Sequence, residues 1–272
     1  MSEFQAQEIQ TLPPPAQLSL DPNWLTPMGL VDWYICPWMA ERANQLIFPL
    51  MIDGKPFLIS WEGIGCIPLH QDGPGFHLQG KTGKFNVNLR FRREAGVAHV
   101  QGNIGLQQVN YTIDFNQNPI PVQGDTGRFR TNSRIQLTDN GMSFEGESGR
   151  FTSRLNGTFE AGRFRFQGGK QGERTELEIV ASPEGAEFSG FFMESSGNLS
   201  VKSEPNKIKA TGFVREKNCD FTVELSSEGV SLTGGGAPGD IKATIALTPD
   251  GYWVKGRLNP GNHFNYHLKR NS

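Results

Sequence analysis

Apolar and polar residues alternate along most of the chain beyond residue 80, so that every second side chain is apolar over runs of about eight residues. Such a period of two is typical of a β-strand with one buried face. One such run precedes and another follows each predicted turn, so the sequence predicts a succession of short strands. Examples are Phe85/Val87/Leu89/Phe91, Val109/Tyr111/Ile113/Phe115 and Ile241/Ala243/Ile245/Leu247.

A column of glycines repeats at intervals of 22 residues through the same region. Each glycine follows an apolar residue by two positions, which places the column on the apolar face of its strand. We interpret the missing side chain as space for a large neighbour on the adjacent strand and for bending of the sheet. The column consists of Gly80, Gly102, Gly124, Gly146, Gly168, Gly190, Gly212, Gly234 and Gly256.

The links between strands contain residues that favour tight turns, such as Asp139-Asn140-Gly141 and Pro249-Asp250-Gly251. Asn-Gly and Pro-Asp-Gly between two alternating runs are typical of antiparallel hairpins. The sequence therefore predicts an all-β protein of tandem 22-residue hairpins, with roughly 18 strands in one long meander. The meander could be open, curled or closed on itself, and a sandwich, a propeller with 44-residue blades and a parallel solenoid remain alternatives.

Three regions differ in composition. Residues 1–20 are polar and include three consecutive prolines, which predicts a disordered arm. Residues 21–79 are rich in aromatic residues, with one possible helical turn or two at residues 39–46 and irregular hairpins at 48–61 and 63–78. Residues 80–272 form the repeat array, for which the aromatic-rich segment would serve as a cap.

Four aromatic residues in residues 21–79 are the candidate binding site. They either cover the end of the array or line a pocket where this segment meets the first hairpins. The flat faces of such side chains suit sugar rings, lipids and partner side chains equally well. The four are Trp33, Tyr34, Trp38 and Trp61.

Composition narrows the classes of function. With 272 residues and a net charge of −2, the protein does not carry the strongly basic surface of a dedicated nucleic-acid-binding protein. Its three cysteines, Cys36, Cys66 and Cys219, do not indicate a disulfide framework. The N-terminal residues resemble no signal peptide and no apolar run reaches ~18 residues, so we expect a cytoplasmic protein and disfavour a membrane as a partner. A membrane barrel with its apolar side outward is a third possibility, which the glycine interruptions disfavour.

Sequence motifs give little support for catalysis or for the binding of a cofactor or metal. Gly234, Gly236 and Gly239 match Gly-x-Gly-x-x-Gly, but a strand follows, so no helix N-terminus would receive a phosphate. His70, Asp72 and His77 lie close in sequence, as do His263 and His267, without the convergence that zinc needs. We therefore expect no metal and no cofactor, and no catalytic residue is identified.

Arginine residues on the predicted strands share the polar face. Asp114, Glu145, Glu147 and Glu160 fall on the same side, which favours cross-strand ion pairs and leaves a site for an anionic polymer or acidic partner as the alternative. The arginines are Arg90, Arg92, Arg128, Arg130, Arg134, Arg150, Arg154, Arg163 and Arg165.

The hairpin scale is similar to that of MORN repeat arrays, and Phe144-Glu145-Gly146 comes near part of the MORN signature. The resemblance implies an open curved sheet and carries over no residues.

The pattern as a whole favours a non-catalytic binding or scaffold protein that presents an extended sheet to a protein, polysaccharide or lipid partner. The alternative is a carrier of an apolar small molecule, or a cyclase- or isomerase-type enzyme acting on it, with the molecule held between the curled sheet and the aromatic segment. Homo-oligomers could form through a sheet edge or face.

Overall fold

The structure is a computed structural model that describes residues 17–23, 26–34, 47–52, 55–60, 73–82, 84–127, 129–171, 173–192, 195–214, 217–227, 229–236, 240–259 and 261–270. Several predictions concern other parts of the chain. Most of the arm at residues 1–20, the helical turns at residues 39–46 and most of the hairpin at 63–78 lie outside the described residues, so they stay predictions.

A small sheet and a helix come first along the chain. The strands β1 (Leu18–Leu20), β2 (Ile47–Ile52) and β3 (Lys55–Ser60) pair antiparallel, and α1 spans Pro27–Tyr34. The β2–β3 pair confirms a hairpin at the predicted place, and β1 falls at the end of the predicted arm. Helix α1 was not predicted, although Thr26 before Pro27 is a start signal: the Gly29 N–H donates to Thr26 Oγ1 at 3.0 Å.

The repeat array forms a closed antiparallel barrel of eighteen strands in the described part of the chain. Each 22-residue unit supplies two strands joined by a tight turn, as the alternation and the turn residues predict. The strands are β4 (Gly73–Thr82), β5 (Phe85–Glu94), β6 (Val97–Ile104), β7 (Gln107–Asp114), β8 (Ile120–Asp125), β9 (Arg130–Thr138), β10 (Gly141–Ser148), β11 (Phe151–Glu160), β12 (Arg163–Lys170), β13 (Glu173–Ser182), β14 (Gly185–Phe192), β15 (Ser195–Glu204), β16 (Lys207–Val214), β17 (Lys217–Ser226), β18 (Gly229–Gly235), β19 (Ile241–Thr248), β20 (Gly251–Leu258) and β21 (Asn262–Arg270).

The ring closes where the last strand, β21, pairs with the first, β4. Tyr266 is the partner of Gly80 and Leu268 is the partner of Leu78. Closure satisfies the backbone hydrogen-bonding groups of both edge strands, which an open meander would leave unpaired. Of the forms that the sequence left open, the closed meander is therefore the one observed, and the antiparallel pairing differs from that of a parallel solenoid.

The apolar face of every alternating run points into the barrel. Tyr111, Tyr266 and Leu78 are each 0% exposed, whereas the residues between them along their strands, such as Asn110 and Asn265, are exposed. An inward apolar face is removed from water, and an outward polar face is hydrated. The predicted division into an apolar and a polar face is confirmed.

At most positions of the glycine column the backbone of the neighbouring strand excludes a Cβ atom, whereas at Gly146 the side chain of Ser133 does so. At Gly168, with φ +148°, a Cβ atom would overlap the carbonyl oxygen of Arg154, and at Gly212, with φ +155°, it would overlap that of Asn198. L-residues rarely adopt such φ values. The predicted location on the inner face is confirmed, but it is a close backbone approach, rather than a large side chain, that excludes Cβ at these two positions.

The N-terminal elements contact the inside of the ring. Helix α1 contacts β9 and β1 contacts β16, two strands that lie seven places apart around the barrel. Leu18 and Val31 are buried in the same apolar cluster as the inner wall. A round barrel of this many strands encloses more space than its own side chains fill, and these elements supply part of the filling.

The barrel has two rims, which we name by their connections. The upper rim carries the connections that follow even-numbered strands, from β4–β5 to β20–β21. The lower rim carries those that follow odd-numbered strands, from β5–β6 to β19–β20, together with the start of β4 and the end of β21. Among the residues that the structure describes, no helix is long and apolar enough to span a membrane.

Candidate binding groove on the outer wall

The predicted aromatic site is only partly within the described residues. Trp33 and Tyr34 are the last two residues of α1, and Trp38 and Trp61 lie outside the described part of the chain. The proposal that these four side chains form a pocket therefore stays a prediction. The described residues form a different candidate site, a polar groove on the outer wall of the barrel.

A groove of about 880 Å³ crosses the outer face of β8–β12. Its floor consists of two rows of side chains that run across the strands, because directly paired residues lie side by side on the same face. The first row is Pro121, Arg134, Glu145, Arg154 and Gly169. The second row is Asn132, Glu147, Thr152 and Gln171, and Pro119 flanks the groove near the lower rim.

An ion-paired triad occupies the centre of the first row. Glu145 Oε1 accepts a hydrogen bond from Arg154 Nη2 at 2.7 Å, and Glu145 Oε2 accepts one from Arg134 Nη2 at 3.4 Å. The hydrogen bond and charge of Arg154, and more weakly those of Arg134, lower the pKa of Glu145, while Glu145 raises the pKa of Arg154. Glu145 and Arg154 are therefore both charged at neutral pH.

The two arginines of the triad remain accessible. The side chain of Arg134 is 65% exposed, and that of Arg154 is 72% exposed. A guanidinium carries five N–H donors, so a single carboxylate partner leaves several free for another molecule. The triad can thus hold its geometry and still bind.

Small residues lie on the inner face directly behind the groove. They are Ser133, Gly146 and Ser153, which are register partners across β9, β10 and β11. We attribute the indentation of the outer face to them, because small inner side chains let a wall approach the barrel axis. A small recess of about 20 Å³, room for about one water molecule, is lined by the same three residues.

A polar network marks the same sector of the inner wall. Thr131 Oγ1 donates to Ser148 Oγ at 3.1 Å and is 3.3 Å from the hydroxyl of Tyr111. Thr131 and Thr175 are polar and buried, and they occupy inner positions that carry apolar residues on most strands. This sector was not predicted from the sequence, although the sequence carries a signal for it. Five small polar residues interrupt the apolar half of the alternation: Thr131, Ser133, Ser148, Ser153 and Thr175.

The predicted ion-pair face is confirmed on several strands. Glu178 pairs with Arg165 at 2.9 Å and with Arg163 at 3.4 Å, and Arg92 pairs with Glu94 at 3.0 Å. Glu178 was not among the acidic residues expected to take part. Arg128, one of the nine arginines named above, lies outside the described residues.

Other reactive groups of the described residues are dispersed. No group of three or more His, Cys, Asp or Glu residues converges in the described ranges. His77 instead forms a hydrogen bond with Asn88 Oδ1 at 2.6 Å, and His267 lies 3.5 Å from Asp250.

Comparison with known proteins adds no further information. No protein-family model matches the sequence, no curated protein matches it, and no solved structure matches it. The function is therefore argued from the groove and the surface that surrounds it.

Proposed function

We propose that the protein is a non-catalytic binding protein whose groove holds an extended segment of a protein partner. The observation that supports this proposal most is the groove itself, an indentation of about 880 Å³ in the outer wall of a barrel. Its floor carries exposed arginines fixed by a shared carboxylate. Fixed, accessible donors reduce the entropy lost on binding.

The chemistry of the floor favours a peptide segment. Charges of both signs alternate along the first row, and the amide and hydroxyl groups of Asn132, Thr152 and Gln171 can donate to or accept from a peptide backbone. A segment that crosses the five strands of the groove spans about 19 Å, the length of roughly six extended residues. The described residues that line the groove include no aromatic ring on which a sugar could stack, so a polysaccharide is the weaker partner.

The charges of the groove support binding rather than proton transfer. A general base works best when its pKa lies near the operating pH. Glu145 has its pKa moved in the opposite direction, below its ordinary value, by the two arginines. A fully ionised, ion-paired carboxylate suits recognition of a charged partner.

The carrier or enzyme alternative depends on space within the barrel. An apolar inner wall suits an apolar ligand, but inner side chains such as Leu199 and Ile245 are almost fully buried. Native mass spectrometry of the purified protein tests the alternative, since a retained apolar molecule would support a carrier.

The position of the partner can be tested by photo-crosslinking. We expect a photoreactive amino acid in place of Thr152, in the groove, to capture a partner from an extract of the source cells. The same replacement at Thr244, an exposed threonine on β19, is the matched control. A partner captured equally at both positions would contradict the groove as its binding site.

Charge reversal tests the role of the triad. We expect Arg134→Glu with Arg154→Glu to abolish capture at Thr152 while the melting temperature changes little, because exposed ion pairs contribute little to stability. Arg90→Glu, an exposed change on the outer face of β5, is the control and should leave capture unchanged.

A further inference from the structure

Exposed large apolar side chains are concentrated at one end of the barrel. Of the five in the described part of the chain, four lie at the upper rim: Phe85, Leu106, Phe191 and Phe213, with exposed fractions of 49%, 103%, 43% and 42%. The fifth, Val180, lies near the lower rim. Leu106 occupies the β6–β7 turn, where its side chain contributes nothing to the core.

These four side chains lie on opposite sides of the ring. Phe85 begins β5, and Phe191 lies near the end of β14, nine places away in a ring of eighteen strands. With neighbouring strands about 4.8 Å apart, the perimeter of the rim is roughly 90 Å. A partner that contacts all four side chains together must be flat and as wide as the barrel.

The upper rim is also basic. Its connections, together with the two strand residues on either side of each, contain nine basic and four acidic residues in the described part of the chain. The basic ones are Lys81, Lys84, Arg130, Arg150, Lys170, Arg174, Lys217, Lys242 and Arg257, and the acidic ones are Asp125, Glu147, Glu173 and Asp240.

The lower rim has the opposite character. Over the same spans its described residues comprise seven acidic and five basic ones, and the basic ones include Lys269 and Arg270 at the end of β21. The net charge of −2 for the whole chain therefore conceals two rims of opposite sign. The acidic residues are Glu94, Asp114, Asp139, Glu160, Glu184, Glu204 and Asp250.

Cations and apolar rings of the upper rim lie next to each other. The Lys84 ammonium is 5.5 Å from the centre of the Phe85 ring, and the Arg174 guanidinium is 5.5 Å from that of Phe191. Such pairs place an apolar surface and a positive charge at the same level along the barrel axis. That combination matches the boundary between acyl chains and anionic headgroups in a lipid bilayer.

We propose that the upper rim docks on the surface of an anionic lipid bilayer. Leu106 and the three phenylalanines enter the interface, and the basic residues between them contact the headgroups. A bilayer is flat over the whole width of the rim, accepts apolar side chains and carries the complementary charge. This proposal replaces the expectation from the sequence, which disfavoured a membrane as a partner.

Vesicle flotation with the full chain tests the proposal. We expect the protein to float with vesicles of phosphatidylcholine and phosphatidylserine, and to remain behind with phosphatidylcholine alone or at high salt. Recovery that is the same with and without phosphatidylserine would overturn the proposal. Salt-sensitive self-association without vesicles, detected by sedimentation velocity, would also overturn it, because the basic rim would then be binding the acidic rim of a second copy.

Apolar and charge variants locate the contact. Leu106→Ser with Phe213→Ser should reduce the floated fraction, whereas Val180→Ser, the matched exposed apolar residue near the lower rim, should not. Lys84→Glu with Arg150→Glu should weaken vesicle binding by about tenfold or more. Lys202→Glu, toward the lower rim on β15, should have little effect. Equal losses for rim and control variants would overturn the assignment of the upper rim.

Discussion

Two sectors of the barrel wall share one repeat and differ in shape. Strands β8–β12 and β17–β21 have the same antiparallel pairing and the same 22-residue spacing of glycines. The inner face of β17–β21 carries large apolar side chains such as Phe221 and Tyr266, both at most 1% exposed. The inner face of β9–β11 carries Ser133, Gly146 and Ser153, and the groove lies directly outside them.

The difference separates what the repeat determines from what individual side chains determine. The repeat sets strand length, turn position and the alternation of faces, which together produce the ring. Three small residues that are neighbours across adjacent strands lie directly behind the groove, and we attribute the indentation of the outer face to their small volume.

The largest expected effect contrasts the inner faces of the two sectors. Phe221→Ala should lower the free energy of unfolding by roughly 3–5 kcal/mol, the cost typical of removing a buried aromatic ring. Ser133→Ala, at an inner position of the groove sector, should cost less than about 1 kcal/mol. Denaturant unfolding of the two variants measures both values. Equal losses would show that the two sectors are packed alike.

A second prediction tests the glycine column, which both sectors share. Gly168→Val should lower the free energy of unfolding by more than about 2 kcal/mol, because φ is positive and the neighbouring backbone occupies the Cβ position. Gln167→Val, one residue away on the exposed outer face, is the control and should be nearly neutral. If both variants unfolded at the same denaturant concentration, the assignment of inner and outer faces would be wrong.

The smallest expected effect concerns the charges on the outer face of the groove sector. Because the arginines lower the pKa of Glu145, its ion pairs are complete above its ordinary titration range and are lost as the pH falls through the lowered value. Arg154→Ala should therefore raise the pKa of Glu145 toward its ordinary value in an NMR titration. Arg90→Ala should leave the pKa of Glu145 unchanged. A shift of equal size in this control would show that the contact with Arg154 does not cause the lowered pKa.

The fold could be predicted from the sequence because nearby residues specify each hairpin and the same pattern repeats. The spacing that leads to Gly168 and turns such as Asp139-Asn140-Gly141 each specify one hairpin at a time. Closure was not accessible, since the pairing of Tyr266 with Gly80 joins residues that are far apart in the chain. The alternation alone is compatible with an open or a closed sheet.

The candidate site was only partly accessible. The outward direction of Arg134 and Arg154 followed from the alternation, as did their partner Glu145. The groove did not follow, because concavity depends on how three inner residues on different strands are arranged in register. The aromatic site at Trp33 and Trp61 stays a prediction, since composition alone identified it.

Closure of the ring at β21 and β4 is the central claim, because the curvature of the groove and both rims depend on it. Lys81 and Asn265 are exposed register partners across this seam, and Lys202 and Lys209 are exposed partners within one hairpin. With the natural cysteines replaced, cysteines at each pair can be oxidised and the intramolecular disulfide measured by mass spectrometry. We expect both pairs to form the bond in the monomer. A disulfide within the hairpin but none between residues 81 and 265 would contradict the closed barrel.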